Sequence, residues 1–171
     1  MKEVIKKLDF YSKRFAKVLF RAFPEWERYL SLEPARDNPE GGSLVVKVPV
    51  PEKGLRSIPA EEDYLRIDSN GEIIVSFDSY HDHFDLFGTE AENFRQAVEF
   101  IRSIVKEEIC VVGAFNENKW RGAASLKAGE KPDLSKFSNL DPPCREVYVR
   151  SWRGTYNRKY DLAEDLEDAR F

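Results

Sequence analysis

An α+β fold is predicted: a mostly antiparallel sheet of about five or six strands, a long N-terminal helix, and a second helix, both packed mainly on one face. Three features lead there. Apolar residues recur at steps of three or four near residues 4–30 and again at 94–105, the period of a helix. Two stretches, "IDSNGEII" and "GAFNENKW", place turn residues between apolar runs, as β-hairpins do. Hairpins pair antiparallel, and a helix with one apolar face needs a sheet to cover.

The elements follow in chain order. Val4, Leu8, Tyr11, Phe15, Leu19, Ala22 and Trp26 form one apolar stripe, with Lys and Arg on the other side. Pro24 is expected to kink this helix or start a new one near Phe23, and the apolar pattern runs on through Tyr29 and Leu30. The segment 33–42 reads as a loop from its Pro, Gly, Asn and Asp. "SLVVKVPV" (43–50) reads as a strand that ends at Pro49 or lies at a sheet edge, because proline cannot donate to a ladder. A Pro-containing connection follows over 51–63. Asn70-Gly71 suits a two-residue hairpin turn, and alternation puts Ile73, Val75 and Phe77 on one face. Thr89 and Glu92 form a capping box ahead of a helix over roughly 90–106, whose stripe is Phe94, Ala97, Val98, Ile101, Ile104 and Val105. Residues 109–115 read as a buried strand, "NENK" as its turn, and 119–127 as the return. A loop covers 127–143, and "REVYVRSW" alternates as a strand. Residues 1–160 are assigned to a single domain and 161–171 to a short acidic tail.

Composition narrows the class. The 171 residues are 42% hydrophobic and 34% charged, enough apolar content for a core beneath a well-solvated surface. The net charge of −4 argues against general nucleic-acid binding, which favours a basic face, and accords with a basic protein partner. Cys110 lies in an apolar run and reads as a small buried hydrophobe; Cys144 follows "DPP" in a loop, and their spacing matches no zinc or redox motif. The N-terminus is charged throughout, unlike a signal peptide, and no apolar run reaches the ~18 residues of a membrane span. The expectation is a cytoplasmic protein with no membrane contact and no cofactor.

Two clusters mix aromatic and charged residues. The first, "FDSYHDHFD" (77–85), holds both histidines of the chain, His81 and His83, among Asp78, Asp82 and Asp85. In an extended segment His81 and His83 share a face, and Asp85 shares it if the extension continues; two imidazoles and a carboxylate are a possible ligand set for a divalent ion acting on water. No third histidine exists to complete an imidazole site. An acid/base role needs a histidine beside a carboxylate, and carboxylates are plentiful here, but no nucleophile motif or phosphate-binding glycine loop accompanies them. The segment also reads as a strand-to-helix corner with Tyr80 and Phe84 buried and the acids near a helix start. As a recognition surface it presents Tyr80, His81, Asp82, His83 and Asp85. The second cluster, "RSWRGTYNRKYD" (150–161), interleaves arginines with Trp152, Tyr156 and Tyr160; Trp152, Arg153 and Tyr156 join the candidate partner-binding set. Stacking on bases is a further reading of it, opposed by the adjoining acidic tail. Trp120 and Arg121 repeat the Trp-Arg pairing and would extend this patch if their strand neighbours the last one.

Taken in order, Ile73–Asp78, Ser79–Asp85, a helix, a paired strand set and Val147–Asp161 resemble small single-domain bacterial immunity proteins of polymorphic toxin systems. The likeness covers residues 64–161 and leaves out the N-terminal helix and the 49–59 connection. It implies a non-enzymatic, stoichiometric inhibitor that binds a cognate toxin domain and blocks its active site. The alternatives left standing are a metal-dependent hydrolase using His81, His83 and Asp85, and an RNA-contacting protein using Trp152 and its arginines.

Overall fold

A computed structural model of the chain describes residues 2–34, 41–51, 64–85 and 88–164. The connection at 51–63, the middle of the 33–42 loop and the tail beyond residue 164 therefore lie outside the described residues, apart from Pro51. The fold is α+β, with two antiparallel sheets in place of the one expected. Its residues group into two compact units: one draws on 1–49, 64–76 and 81–102, the other on 50–63, 77–80 and 103–171.

The first unit begins with helices. The long N-terminal helix of the sequence reading is not present. Its place is taken by α1 (Lys2–Lys7), α2 (Phe10–Ala22) and a 3₁₀ turn over Pro24–Tyr29. The break has a local cause. Asp9 leaves helical geometry, donates its backbone N–H to the Gly42 carbonyl at 2.8 Å, and caps α2 by accepting from the Ser12 N–H at 2.8 Å. Pro24 then closes the second break, at a first helical position that needs no N–H. The apolar residues near Leu30 do not continue a helix; they open β1 (Leu30–Pro34), which pairs antiparallel with β2 (Gly42–Pro49). β2 is an inner strand, since β3 (Tyr64–Asp68) pairs with its other side, and Pro49 falls at its last paired position. Leu44, Val45, Val46 and Val48 are all buried, so both faces of β2 are covered.

The sheet continues to β4 (Ile74–Phe77) and β5 (Tyr80–His83), in the order β1-β2-β3-β4-β5. The β3–β4 connection is longer than the two-residue turn expected: it runs from Ser69 to Ile73, and only Gly71 takes a positive φ, at 83°. Side chains explain the extra length. The Asp68 carboxylate accepts from the Asn70 N–H, while the buried Ser69 hydroxyl meets Ser12 and accepts from the Leu44 N–H. Ile73, Val75 and Phe77 are buried on one face, as alternation requires. α3 (Glu90–Val105) starts where Thr89 accepts from the Glu92 N–H, and Phe94 packs edge-on to Tyr11 at 5.2 Å and against Phe15 at 5.3 Å.

In the second unit β6 (Ile109–Asn116) and β7 (Lys119–Lys127) form the expected hairpin. Its turn residues Glu117 and Asn118 both have positive φ, the backbone that matches strand twist in a two-residue turn. β8 (Glu146–Arg150) and β9 (Arg158–Asp161) complete the order β7-β6-β8-β9. The adjacency proposed for the two Trp-Arg pairs is not realised, because β6 separates β7 from β8. Asp161, assigned to the tail, is the last residue of β9. The 127–143 loop contains a short helix, α4 (Ser135–Ser138), which sends Phe137 into a core of Cys110, Val112, Ala114, Cys144, Val147 and Val149. Both cysteines are buried free thiols, and burial pushes Cys110 up to about 11.

Candidate functional site

The "FDSYHDHFD" stretch is a tight hairpin, not a strand leading straight into a helix. Asp78 and Ser79 make the turn between β4 and β5, with Asp78 at a φ of 52°. Close packing fixes this turn: a Cβ on Gly113 would sit 2.1 Å from the Ser79 Oγ and 2.8 Å from its Cβ, so glycine is needed there to make room for the Ser79 side chain. Asp78 faces the buried Arg150 guanidinium at 3.7 Å.

Among the described residues β5 is an edge strand of its sheet, and its side chains are exposed or half-buried. His81 and His83 share a face, as strand alternation dictates, with ring centroids 5.2 Å apart and edge-on. The His83 Nδ1 lies 2.8 Å from the Glu72 carboxylate, which orients the ring. The Phe84 N–H donates back to the Ile73 carbonyl, so by alternation the His83 N–H points away from the sheet. The Asp82 carboxylate accepts that outward N–H at 2.9 Å. This contact protects the edge from strand addition at His83 and leaves the side chains as the recognisable feature. β5 ends at His83, and Asp85 lies in the bend that follows, beyond the extended run its sharing of the histidine face requires.

The surroundings are acidic. Burial, and then the charges of Glu90, Asp85, Glu72 and Asp9, push the Tyr11 phenol up to about 12. Tyr11 thus marks where acids from α2's cap, the β3–β4 connection, the bend after β5 and the start of α3 converge. Arg14 offsets one of them, bonding Glu90 at 2.9 Å. Chemically, His83 with Glu72 is an oriented imidazole–carboxylate pair. Among the described residues, no three His, Cys, Asp or Glu side chains group as a metal site.

The second cluster behaves otherwise. Trp152 is 5% exposed and packs on the Phe77 ring at 5.9 Å; Arg150 is 2% exposed. The loop after β8 is clamped by Glu107, a residue in the left-handed region at φ 57°. Its carboxylate accepts from the Arg153 N–H at 2.8 Å and from the Thr155 hydroxyl at 2.6 Å. Burial acts to raise the Glu107 pKa, but the bonds from Ser151, Thr155 and the loop backbone outweigh it and hold the carboxyl below its ordinary value. Arg153 is exposed and Tyr156 is 36% exposed at the loop's tip. On β7, Trp120 is 51% exposed, and Arg121 donates to the Asp141 carbonyl at 2.6 Å.

Of the sequence candidates, the fold thus brings His81, Asp82 and His83 together on one strand and places Trp120 and Arg121 on another. Tyr80 starts β5, half-buried. Glu72 beside His83, and Tyr11 and Glu90 near Glu72, were not anticipated, since each lies on a different element and no local spacing announces the meeting. Glu107 was missed for the same reason: its partners are 46 and 48 residues away. No helix of the described residues is long and apolar enough to cross a membrane. No family model, curated protein or solved structure matches the chain.

Proposed function

We propose that this chain is a non-enzymatic protein-binding domain of the immunity kind, which neutralises a cognate toxin by direct binding, with β5 as its contact edge. One observation carries the reading: a strand at the end of its sheet presents His81, Asp82 and His83, with His83 held by Glu72 and its N–H covered by Asp82. Pre-ordered side chains lose little entropy on binding, which favours affinity. The acids gathered around Tyr11 suit a basic partner surface and would speed encounter with it.

Co-expression with the toxin encoded beside it tests the proposal. Protection of the host and a one-to-one complex are expected. The Asp82→Lys/Asp85→Lys variant is expected to weaken that complex at least about tenfold, and more steeply at low salt. Neither protection nor a complex with the wild-type chain would sink the reading. A stoichiometric metal in protein purified without a histidine tag, lost on His81→Ala, would move it to the hydrolase.

A further inference from the structure

A second surface of the first unit has the opposite charge. α2 carries Lys13, Arg14, Lys17 and Arg21 and no acidic residue, in a chain whose net charge is −4. Between α2 and α3 runs an open groove of about 340 Å³. Its floor is Val18 and Ala22 of α2 with Ala91 and Val98 of α3, short side chains that leave room between the helices. Its rim is Arg21 on one side and Arg95, Glu99 and Arg102 on the other.

The three arginines differ in what already holds them. Arg95 is neutralised, donating to both oxygens of Glu99 at 2.9 and 2.8 Å and also to Glu92. Arg21 and Arg102, in the last turns of α2 and α3, have no ion-pair partner among the described residues. The pattern repeats on both helices. On α2, Phe10, Arg14, Val18 and Arg21 follow one another at steps of four, four and three; on α3, Ala91, Arg95, Val98 and Arg102 step by four, three and four. Each stripe alternates an apolar residue with a guanidinium. Phe10, 74% exposed beneath the Arg14 guanidinium at 5.5 Å, extends the α2 stripe beyond the groove.

We propose that this groove docks an acidic amphipathic helix of a protein partner. An apolar floor between two helices takes the anchors of a third at i, i+3, i+4 and i+7, and the two uncommitted guanidiniums pair with its flanking carboxylates bidentately. The groove's openness fits a helix better than a small ligand, which needs most of its surface enclosed. Glu92 and Glu99 beside the groove disfavour a polyanionic sheet such as a lipid surface, where every approach meets negative charge, while a helix can align its carboxylates with Arg21 and Arg102 alone. The inference does not depend on the role given to β5.

The test uses the full chain and a fluorescein-labelled synthetic peptide of about 18 residues, long enough to form a helix, with leucines at helical spacing and glutamates between them. A peptide of identical composition in scrambled order has the same charge and no apolar face. Binding of the first at least about tenfold tighter than the second is expected, lost on Arg21→Glu/Arg102→Glu and unchanged by Asp82→Lys. If the charge reversals prevent folding, judged by circular dichroism, Arg21→Gln/Arg102→Gln is read instead, with a smaller loss in the same direction. Equal binding of both peptides, or full binding by the arginine variants, overturns the proposal. So does binding to phosphatidylglycerol vesicles that the arginine variants lose while the peptide stays unbound.

Discussion

The stretches 77–85 and 150–161 look alike in the sequence, each a mix of aromatic rings and charges, and the fold treats them differently. In the first, Phe77 turns inward while His81, Asp82 and His83 stay on an outer strand. In the second, Arg150, Ser151 and Trp152 are drawn inside, and the following loop is tied down by Glu107 from the turn after α3. The difference teaches that an aromatic-charged cluster becomes a surface or a scaffold according to what lies across from it. Trp152 has Phe77 to pack on, and Arg150 has the Asp78 carboxylate 3.7 Å away to offset the burial of its charge. The histidines have only each other and Glu72, on a strand with no further strand beside it among the described residues.

With β5 as the proposed contact edge, the contrast sets a stabilising loop against a binding strand, and three measurements can overturn it. The largest effect is expected at Trp152. Trp152→Ala should cost about 3–5 kcal/mol of unfolding free energy in urea, because it empties a packed site. A cost near zero, joined to weakened partner binding, would return Trp152 to the surface and erase the difference between the two stretches.

Glu107→Gln comes next. At neutral pH it should destabilise by roughly 1 kcal/mol, as the bonds from the loop to a charged acceptor become bonds to a neutral one. The sign of the pH dependence follows from the lowered pKa. The unfolded carboxyl binds its proton near 4.5, before the folded one does, so the contribution of Glu107 is complete above that pH and fades as pH falls through the lower folded value. The gap between wild type and variant should therefore narrow below about pH 4.5, read by thermal unfolding at a series of pH values. A gap that stays constant down to pH 2 would mean that the clamp is not electrostatic.

The smallest effect on stability is expected at His83. Its pair with Glu72 is half-exposed and screened, so His83→Ala should change the unfolding free energy by no more than about 1 kcal/mol. Binding to the proposed toxin partner should weaken much more than stability does. A large stability loss without any change in binding would make β5 a scaffold like the loop.

Much of the architecture was legible because it is written in short-range patterns. α3, the β6–β7 hairpin and the inward face of β4 follow from periodicity, a capping threonine and a turn that accepts positive φ, all contained within about ten residues. The breaks at Asp9 and in the β3–β4 connection were not legible, since each answers to a remote backbone: Gly42 for Asp9, and Leu44 and Ser12 for Ser69. The candidate site was legible only in part. That His81 and His83 share a face is a property of any strand, whereas the meeting of His83 with Glu72, and of Glu72 with Glu90 around Tyr11, is hidden by sequence distance.

Local residue patterns settle the α+β class, the positions of α3 and most strands, and the identity of the two mixed clusters, because period, caps and turns act over single elements. Contacts between distant residues set the rest: two sheets in place of one, one cluster interior and the other at an edge, and arginines of α2 and α3 lining a common groove. Those outcomes depend on which surfaces meet across dozens of residues, and burial and charge pairing between them have no counterpart in local spacing.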